Sequence, residues 1–294
     1  MLHQIQRWLT GGSRTAAAAE GLAGPRAAGL AVEPLEAREV LAGEPVGTEF
    51  QINTFTNSPQ QTFNESPGAV ASDSNGNYVV VWASDLQDGS GFGVYGQRFN
   101  SSGVAQGAEF RVNSSTIGDQ KWATVAMDSS GDFVVTWTSA GQDGGGYGVF
   151  AQRYNAAGVA LGGEFQVNTT VASDQKWSTV AMDSTGNFVI TWTAVGQDGF
   201  GQGVYAAQFT AAGVAVGGEF RVNTVTVGNQ QRSAVAMDAD GDYAIVWQSY
   251  GQDASSYGIF GQRYSKSNVP VGAEFQVNTT TTSQQIGPSI AMDS

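Results

Sequence analysis

One stretch of this chain returns at a fixed interval, and that interval constrains the fold more than any other feature. EFRVNSSTIGDQKWATVAMDSSGDFVVTWTSAGQDGGGYGVFAQRYNAAGVALGG, from Glu109 to Gly163, restarts at Glu164, at Glu219 and again at Glu274. The offset is 55 residues each time. An earlier copy starts at Glu49 and carries five extra residues before its first long strand. Such a period means an array of like units, each burying its apolar faces against its neighbours.

Each unit holds four runs with strand character. In one copy they are WATVAMD (Trp122 to Asp128), DFVVTWT (Asp132 to Thr138), VFAQRY (Val149 to Tyr154) and EFQVN (Glu164 to Asn168). Gly131 supplies the positive φ that the tight turn between the first two requires. All the connections are too short for a crossover helix, so consecutive strands should be antiparallel neighbours. Phe133, Val135 and Trp137 on one face of the second run, with Val134 and Thr136 on the other, describe a sheet wedged between two others.

The expectation is an all-β chain, a β-propeller of four-stranded antiparallel blades at about 68–114, 123–169, 178–224 and 233–279. Partial strands are expected at 49–54 and 287–294. A β-solenoid or a string of small sandwiches are the alternatives. Because the chain stops where a first strand would turn into its second, it reads as part of a longer ring or array.

Forty glycines in 294 residues are about twice the usual ~7% and suit a turn-dominated structure. The net charge of −13 argues against nucleic acid and anionic membranes as partners. No apolar run approaches the ~18 residues of a membrane span. The absence of Cys excludes a disulfide framework and thiol chemistry.

Residues 1–44 differ in kind: they lack strand alternation and should be largely disordered or locally helical. Glu20, Pro25 and Arg26 interrupt any apolar signal core. Leu35-Glu36-Ala37-Arg38-Glu39-Val40-Leu41-Ala42 resembles the L-E-x-R-x-L-L-A/S segment that ends the N-terminal region of many exported planctomycete proteins, with Val40 in place of a Leu. The resemblance implies export, and hence a secreted or cell-surface protein. The repeat pattern V-A-M-D-x-x-G-[DN]-[FY] resembles NHL- and YVTN-type propeller repeats, and the repeat arrays of large secreted bacterial proteins. It is longer than NHL and adds the GQDGxGxG loop. This second resemblance covers residues 49–294, implies a propeller in an extracellular setting, and brings no catalytic residue with it.

In an up-and-down blade the loops after the second and fourth strands emerge on one face. That face should collect Asp88, Asp143, Asp198 and Asp253 from the Gln-Asp loops, and Gln120, Gln175 and Gln230 from the loops between blades. Carboxylates and amides in a ring suit Ca²⁺, with Asp143 and Asp198 as first candidate ligands, or sugar hydroxyls. The bland alternative pairs each Asp with an Arg of its blade (Asp88–Arg98, Asp143–Arg153, Asp253–Arg263) or has it cap its own loop. On the opposite face the acidic turns at Asp73, Asp128, Asp183 and Asp238 read as Asx-stabilised hairpins. Trp82, Trp137, Trp192 and Trp247 read as core between blades. Trp122 and Trp177 lie at the start of the first strand, near the ligand face, with Arg232 and Gly287 as their counterparts, and are the more interesting aromatics; the alternative is that they simply seal neighbouring blades.

Enzyme chemistry finds no support at this level. The sole histidine is His3, which leaves no His-based triad or metal site in the repeats. The repeated Glu residues open the fourth strands, where a cross-strand partner such as Arg153 would explain them; Glu65, in the insertion, is the exception. Near-identical repeats also tend to give carboxyls like environments, whereas a catalytic pair needs unlike ones. The expectation is therefore a non-enzymatic extracellular module, adhesive through an extracellular glycan or protein ligand. A structural spacer stabilised by Ca²⁺, or a fragment of a propeller hydrolase or lyase, are the alternatives.

Overall fold

The computed structural model describes residues 48–63 and 68–293. The segment 1–44, on which the export reading rests, and Glu65 lie outside the described residues. The chain divides into Met1–Glu49 and Phe50–Ser294, and the description below concerns the second unit.

Four antiparallel meanders follow one another. The first comprises β1 (Gln60–Gln61), β2 (Val70–Ser72), β3 (Tyr78–Asp85), β4 (Phe92–Phe99) and β5 (Phe110–Arg111). β1 and β2 both pair with β3, so the five-residue insertion has split one inner strand in two. The second comprises β6 (Gln120–Met127), β7 (Phe133–Ala140), β8 (Tyr147–Tyr154) and β9 (Phe165–Gln166). The third holds β10 (Gln175–Met182), β11 (Phe188–Val195), β12 (Gln202–Phe209) and β13 (Ala215–Arg221); the fourth holds β14 (Gln230–Met237), β15 (Tyr243–Tyr250), β16 (Tyr257–Tyr264) and β17 (Pro270–Gln276). These are the blades of a β-propeller.

Local chemistry sets each hairpin. Asp128 Oδ1 accepts the N–H groups of Ser130 (2.8 Å) and Asp132 (3.0 Å), while Gly131 takes φ 94°. Asp73, Asp183 and Asp238 repeat this Asx arrangement, as their spacing predicts. Beneath the blades Ser74 Oγ donates to the Ser129 carbonyl, Ser129 Oγ to that of Ser184, and Ser184 Oγ to that of Ala239.

The core lies between blades. Val112 of the first blade packs with Val135 and Trp137 of the second. Val167 meets Ile190 and Trp192 one boundary on, and Val222 meets Ile245 and Trp247 at the next. Trp137, Trp192 and Trp247 are completely buried. The innermost strands β2, β6, β10 and β14 touch in succession. Hydroxyls tie each second strand to the innermost strand of the next blade, as in the Thr136–Ser178 (3.1 Å) and Thr191–Ser233 (2.8 Å) pairs. The second strands therefore tolerate threonine on a face that is otherwise apolar.

The partial strands expected at 49–54 and 287–294 are not strands in the described residues. A fourth strand hydrogen-bonds to the third strand of its own blade, and a first strand to its second; among the described residues neither end segment is so paired. The N-terminal run nevertheless keeps its side-chain contacts: Phe50 packs on Phe99 at 5.5 Å, and Asn53 bonds Gln60. No helix among the described residues is long and apolar enough to cross a membrane.

Candidate functional site at the axial face

The structure separates the residues that the sequence places together on the upper face. Gln120, Gln175 and Gln230 are fully buried. Gln120 Oε1 accepts from Asn113 Nδ2 (3.1 Å), and Gln120 Nε2 donates to the Ile117 carbonyl (3.1 Å). Gln175 and Gln230 repeat this with Asn168 and Asn223. These amides lock the boundaries between blades and present nothing to a ligand.

Asp88, Asp143, Asp198 and Asp253 are half-buried. Each accepts a backbone N–H two residues ahead: Ser90 (3.2 Å), Gly145 (2.9 Å), Phe200 (3.0 Å) and Ser255 (3.1 Å). They cap their own Gly-rich loops. Asp88 also lines an open outer cleft of about 790 Å³ with Tyr95, Tyr154 and Glu164. The Asp–Arg pairs do not form, because Arg98 and Arg153 sit at the far end of the third strand and reach the next blade's lower loop. Arg98 donates to the Ala157 carbonyl, and Arg153 to those of Ala211 (2.6 Å) and Leu161 (3.2 Å). Among the described residues no group of three or more His, Cys, Asp or Glu side chains is placed to hold a metal ion.

Arg153 is not the partner of the strand-opening glutamates either. Glu164 takes the side-chain amide of Gln142 in its own blade and the backbone N–H of Ser114 in the preceding one (2.6 Å). Glu109, Glu219 and Glu274 repeat the arrangement.

Trp122 and Trp177 behave otherwise. The pairing of β6 with β7 slips between Lys121 and Thr124, and that of β10 with β11 between Lys176 and Thr179. At each slip one residue turns left-handed: Trp122 (φ 55°), Trp177 (φ 58°), and Arg232 (φ 54°) in the fourth blade. Gly287, next in the series, takes φ 67° without strain. A bulky side chain here costs about 1–2 kcal/mol, and such strain collects where a side chain must be aimed.

Each is aimed toward its neighbours around the innermost strands. Trp122 lies 6.3 Å from Trp177, 5.5 Å from Tyr147 and 5.8 Å from Phe63. Phe63, which belongs to the insertion, also packs on Phe92 at 5.8 Å. Lys176 and Arg232 sit over the Trp177 ring at 4.6 and 5.4 Å, and Lys121 over Phe92 at 4.8 Å. Asp119 binds Lys121 at 2.6 Å and Asp174 binds Lys176 at 3.5 Å. Burial raises the Asp119 pKa, but the Lys121 ammonium and the Phe92 N–H outweigh it and hold the carboxyl below its ordinary range.

Sequence reasoning found Trp122, Trp177 and Arg232 as counterparts and missed the rest of the arc. The available signal was the run Asp119-Gln120-Lys121-Trp122, which returns as Asp174-Gln175-Lys176-Trp177 and changes to Asn229-Gln230-Gln231-Arg232.

No protein-family profile and no curated protein matches this chain. Solved structures do. An α-L-arabinofuranosidase from Fusarium graminearum superposes with TM-score 0.50 at 10% identity, over 75% of this chain and 70% of that one. An endo-arabinase from Bacteroides thetaiotaomicron aligns with TM-score 0.43 at 14% identity, over 69% and 77%. The likeness to the Fusarium enzyme is one of fold.

It corrects the expectation of a non-enzymatic adhesion module, since the same architecture carries a glycoside hydrolase in that protein. Two premises behind the expectation fail physically. Glycoside hydrolysis runs on carboxylates and needs neither His nor Cys. The repeats also do not impose like environments at the axis, where the blades contribute Phe63, Trp122, Trp177 and Arg232.

Proposed function

We propose that this chain is a carbohydrate-active β-propeller, which lays a glycan across the axial arc of Phe63, Trp122, Trp177 and Arg232 and processes its glycosidic bonds. The carrying observation is the pair of tryptophans held left-handed where glycine would sit unstrained. Sugar rings present apolar faces and hydroxyl edges. Indole rings match the faces. Asp119 and Asp174 adjoin the arc. Asp119, held ionised, suits the base or nucleophile role in cleavage, and not that of the proton donor. The Fusarium neighbour, an arabinofuranosidase, makes arabinose-containing polymers the first substrates to try.

The test is incubation of the chain with arabinan, xylan and pectic polysaccharides, following reducing ends and measuring binding by calorimetry. Binding and release are expected. Trp122→Ala and Trp177→Ala should abolish binding, and Asp119→Asn should bind without turnover. Neither binding nor release across the panel would sink the proposal. Export through Leu35–Ala42 belongs to the same proposal, because extracellular polysaccharide is where such a chain would meet its glycan. A fusion of residues 1–44 whose reporter stays cytoplasmic in a planctomycete host removes that part.

A further inference from the structure

The two outer strands of each blade change together, and they do so in alternate blades. In blades one and three the third strand carries Tyr95 and Tyr205, and the fourth strand sets Arg111 and Arg221 directly opposite them. In blades two and four the same paired positions hold Phe150 with Gln166 and Phe260 with Gln276. Packing does not ask for the exchange. Phe150 and Phe260 are each 5% exposed, and Tyr95 and Tyr205 are 6% and 7% exposed, so a ring without a hydroxyl fills the position equally well. Arg111 and Arg221 are exposed, and among the described residues neither makes a hydrogen bond or an ion pair. A phenol and a guanidinium enter together where the fold needs neither.

Both arginines line clefts on the outer side of the blades, away from the axial arc. Arg111 lines the cleft of about 790 Å³ after blade one, with Tyr95, Tyr154, Asp88 and Glu164. Arg221 lines a counterpart of about 820 Å³ after blade three, with Tyr264 and Glu274. These volumes fall within the ~300–1,000 Å³ usual for small-molecule sites. Each cleft sets a guanidinium, which only donates, near a carboxylate, which only accepts. Glu164 and Glu274 hold their blade boundaries with two and three hydrogen bonds, fewer than the roughly four a carboxylate can take. Burial and the Asp88 charge raise the Tyr95 pKa against the opposing effect of Arg111, so this phenol keeps its proton at neutral pH. With at least as much negative as positive charge in its lining, neither cleft selects an anion. Donor beside acceptor instead matches neighbouring hydroxyls of a neutral sugar.

Resting on the glycan reading, we infer that these two clefts are secondary glycan sites, which hold neutral outlying sugars of a polymer already engaged at the axial arc. Each is too weak to retain a chain alone and acts by multivalency. The experiment measures binding of the full chain to arabinan and xylan, and to their trisaccharides, which are short enough to stay within the arc. The variant carrying Tyr95→Phe, Arg111→Gln, Tyr205→Phe and Arg221→Gln installs the pairs that blades two and four already hold in the same register, so its fold should survive. It should bind polymer about tenfold or more weakly than the native chain, and bind trisaccharide as the native chain does. Changing one blade alone should give part of the loss, and Phe150→Tyr with Gln166→Arg should tighten polymer binding. Polymer affinity unchanged in the four-substitution variant would overturn the inference and leave the glycan reading standing. An equal loss of trisaccharide and polymer would overturn it too, since the effect would then lie at the arc. No binding of arabinan or xylan by the native chain would also overturn it, whatever the pectic polymers do.

Discussion

Glu164 Oε2 accepts the backbone N–H of Ser114 at 2.6 Å, across the boundary between two blades whose sequences here are 50 residues apart. The bond gives a repeated outer-strand residue a reason to be charged. Its other oxygen holds Gln142 at the edge of its own blade, so one carboxylate fastens a loop and a neighbour together. Glu164→Ala should destabilise the chain by about 2–4 kcal/mol, the loss of hydrogen bonds to a charged group, read as a lowered urea midpoint. Glu164→Gln keeps the shape and should cost less.

The same staple predicts acid sensitivity. Burial raises the Glu219 pKa, but hydrogen bonds from Thr169, Thr170 and Gln197 more than offset it and leave the carboxyl below its ordinary range. The unfolded chain then binds the proton first as pH falls. The Glu219 contribution is complete above the ordinary glutamate value of about 4.3 and drains away as pH drops through the lower folded value. Urea midpoints measured from pH 6 to pH 3 should fall, and Glu219→Gln should flatten that fall.

At the alkaline end the buried phenols act. Burial pushes Tyr154, Tyr243 and Tyr264 well above the ordinary tyrosine value. Their contribution is whole below about pH 10 and is lost as pH rises toward the folded values, because the unfolded chain ionises first. Absorbance at 295 nm should show a fraction of tyrosines that stays protonated until the fold melts.

Trp177→Gly should be more stable than Trp177→Ala by about 1 kcal/mol, the left-handed penalty that alanine keeps and glycine escapes. Gly287 already shows the relaxed form of this position. Both variants should lose glycan binding. An alanine variant as stable as the glycine one would mean the slip relaxes when the indole is gone.

Much of the fold was legible because the period, the hairpin aspartates and the β-rich runs are local signals repeated in the chain. Asp128 announces its turn within five residues, and Trp137 its buried face by alternation. The site was less legible. Gln120 reads as an exposed loop amide, yet its hydrogen-bond partner Asn113 lies across a blade boundary that only the assembled ring creates. Arg153 shares a blade with Asp143 but stands at the other end of a strand. The slip at Lys121 leaves no mark in composition, and without it Trp122 cannot be placed toward Trp177. What departs from the pattern, at Phe63 and Arg232, gathers at the axis beside the repeated Trp122 and Trp177.

The serine ladder beneath the blades has a direction. Each hairpin gives its hydroxyl proton forward, from Ser74 to Ser129 to Ser184, and the last rung rests on Ala239, which has no hydroxyl to hand on. The fourth hairpin can therefore steady its predecessor but cannot reach forward itself. Local opening there undoes a single rung, as does opening at the first hairpin, whereas opening at the second or third undoes two. Amide exchange should accordingly be faster under the first and fourth blades than under the two between them.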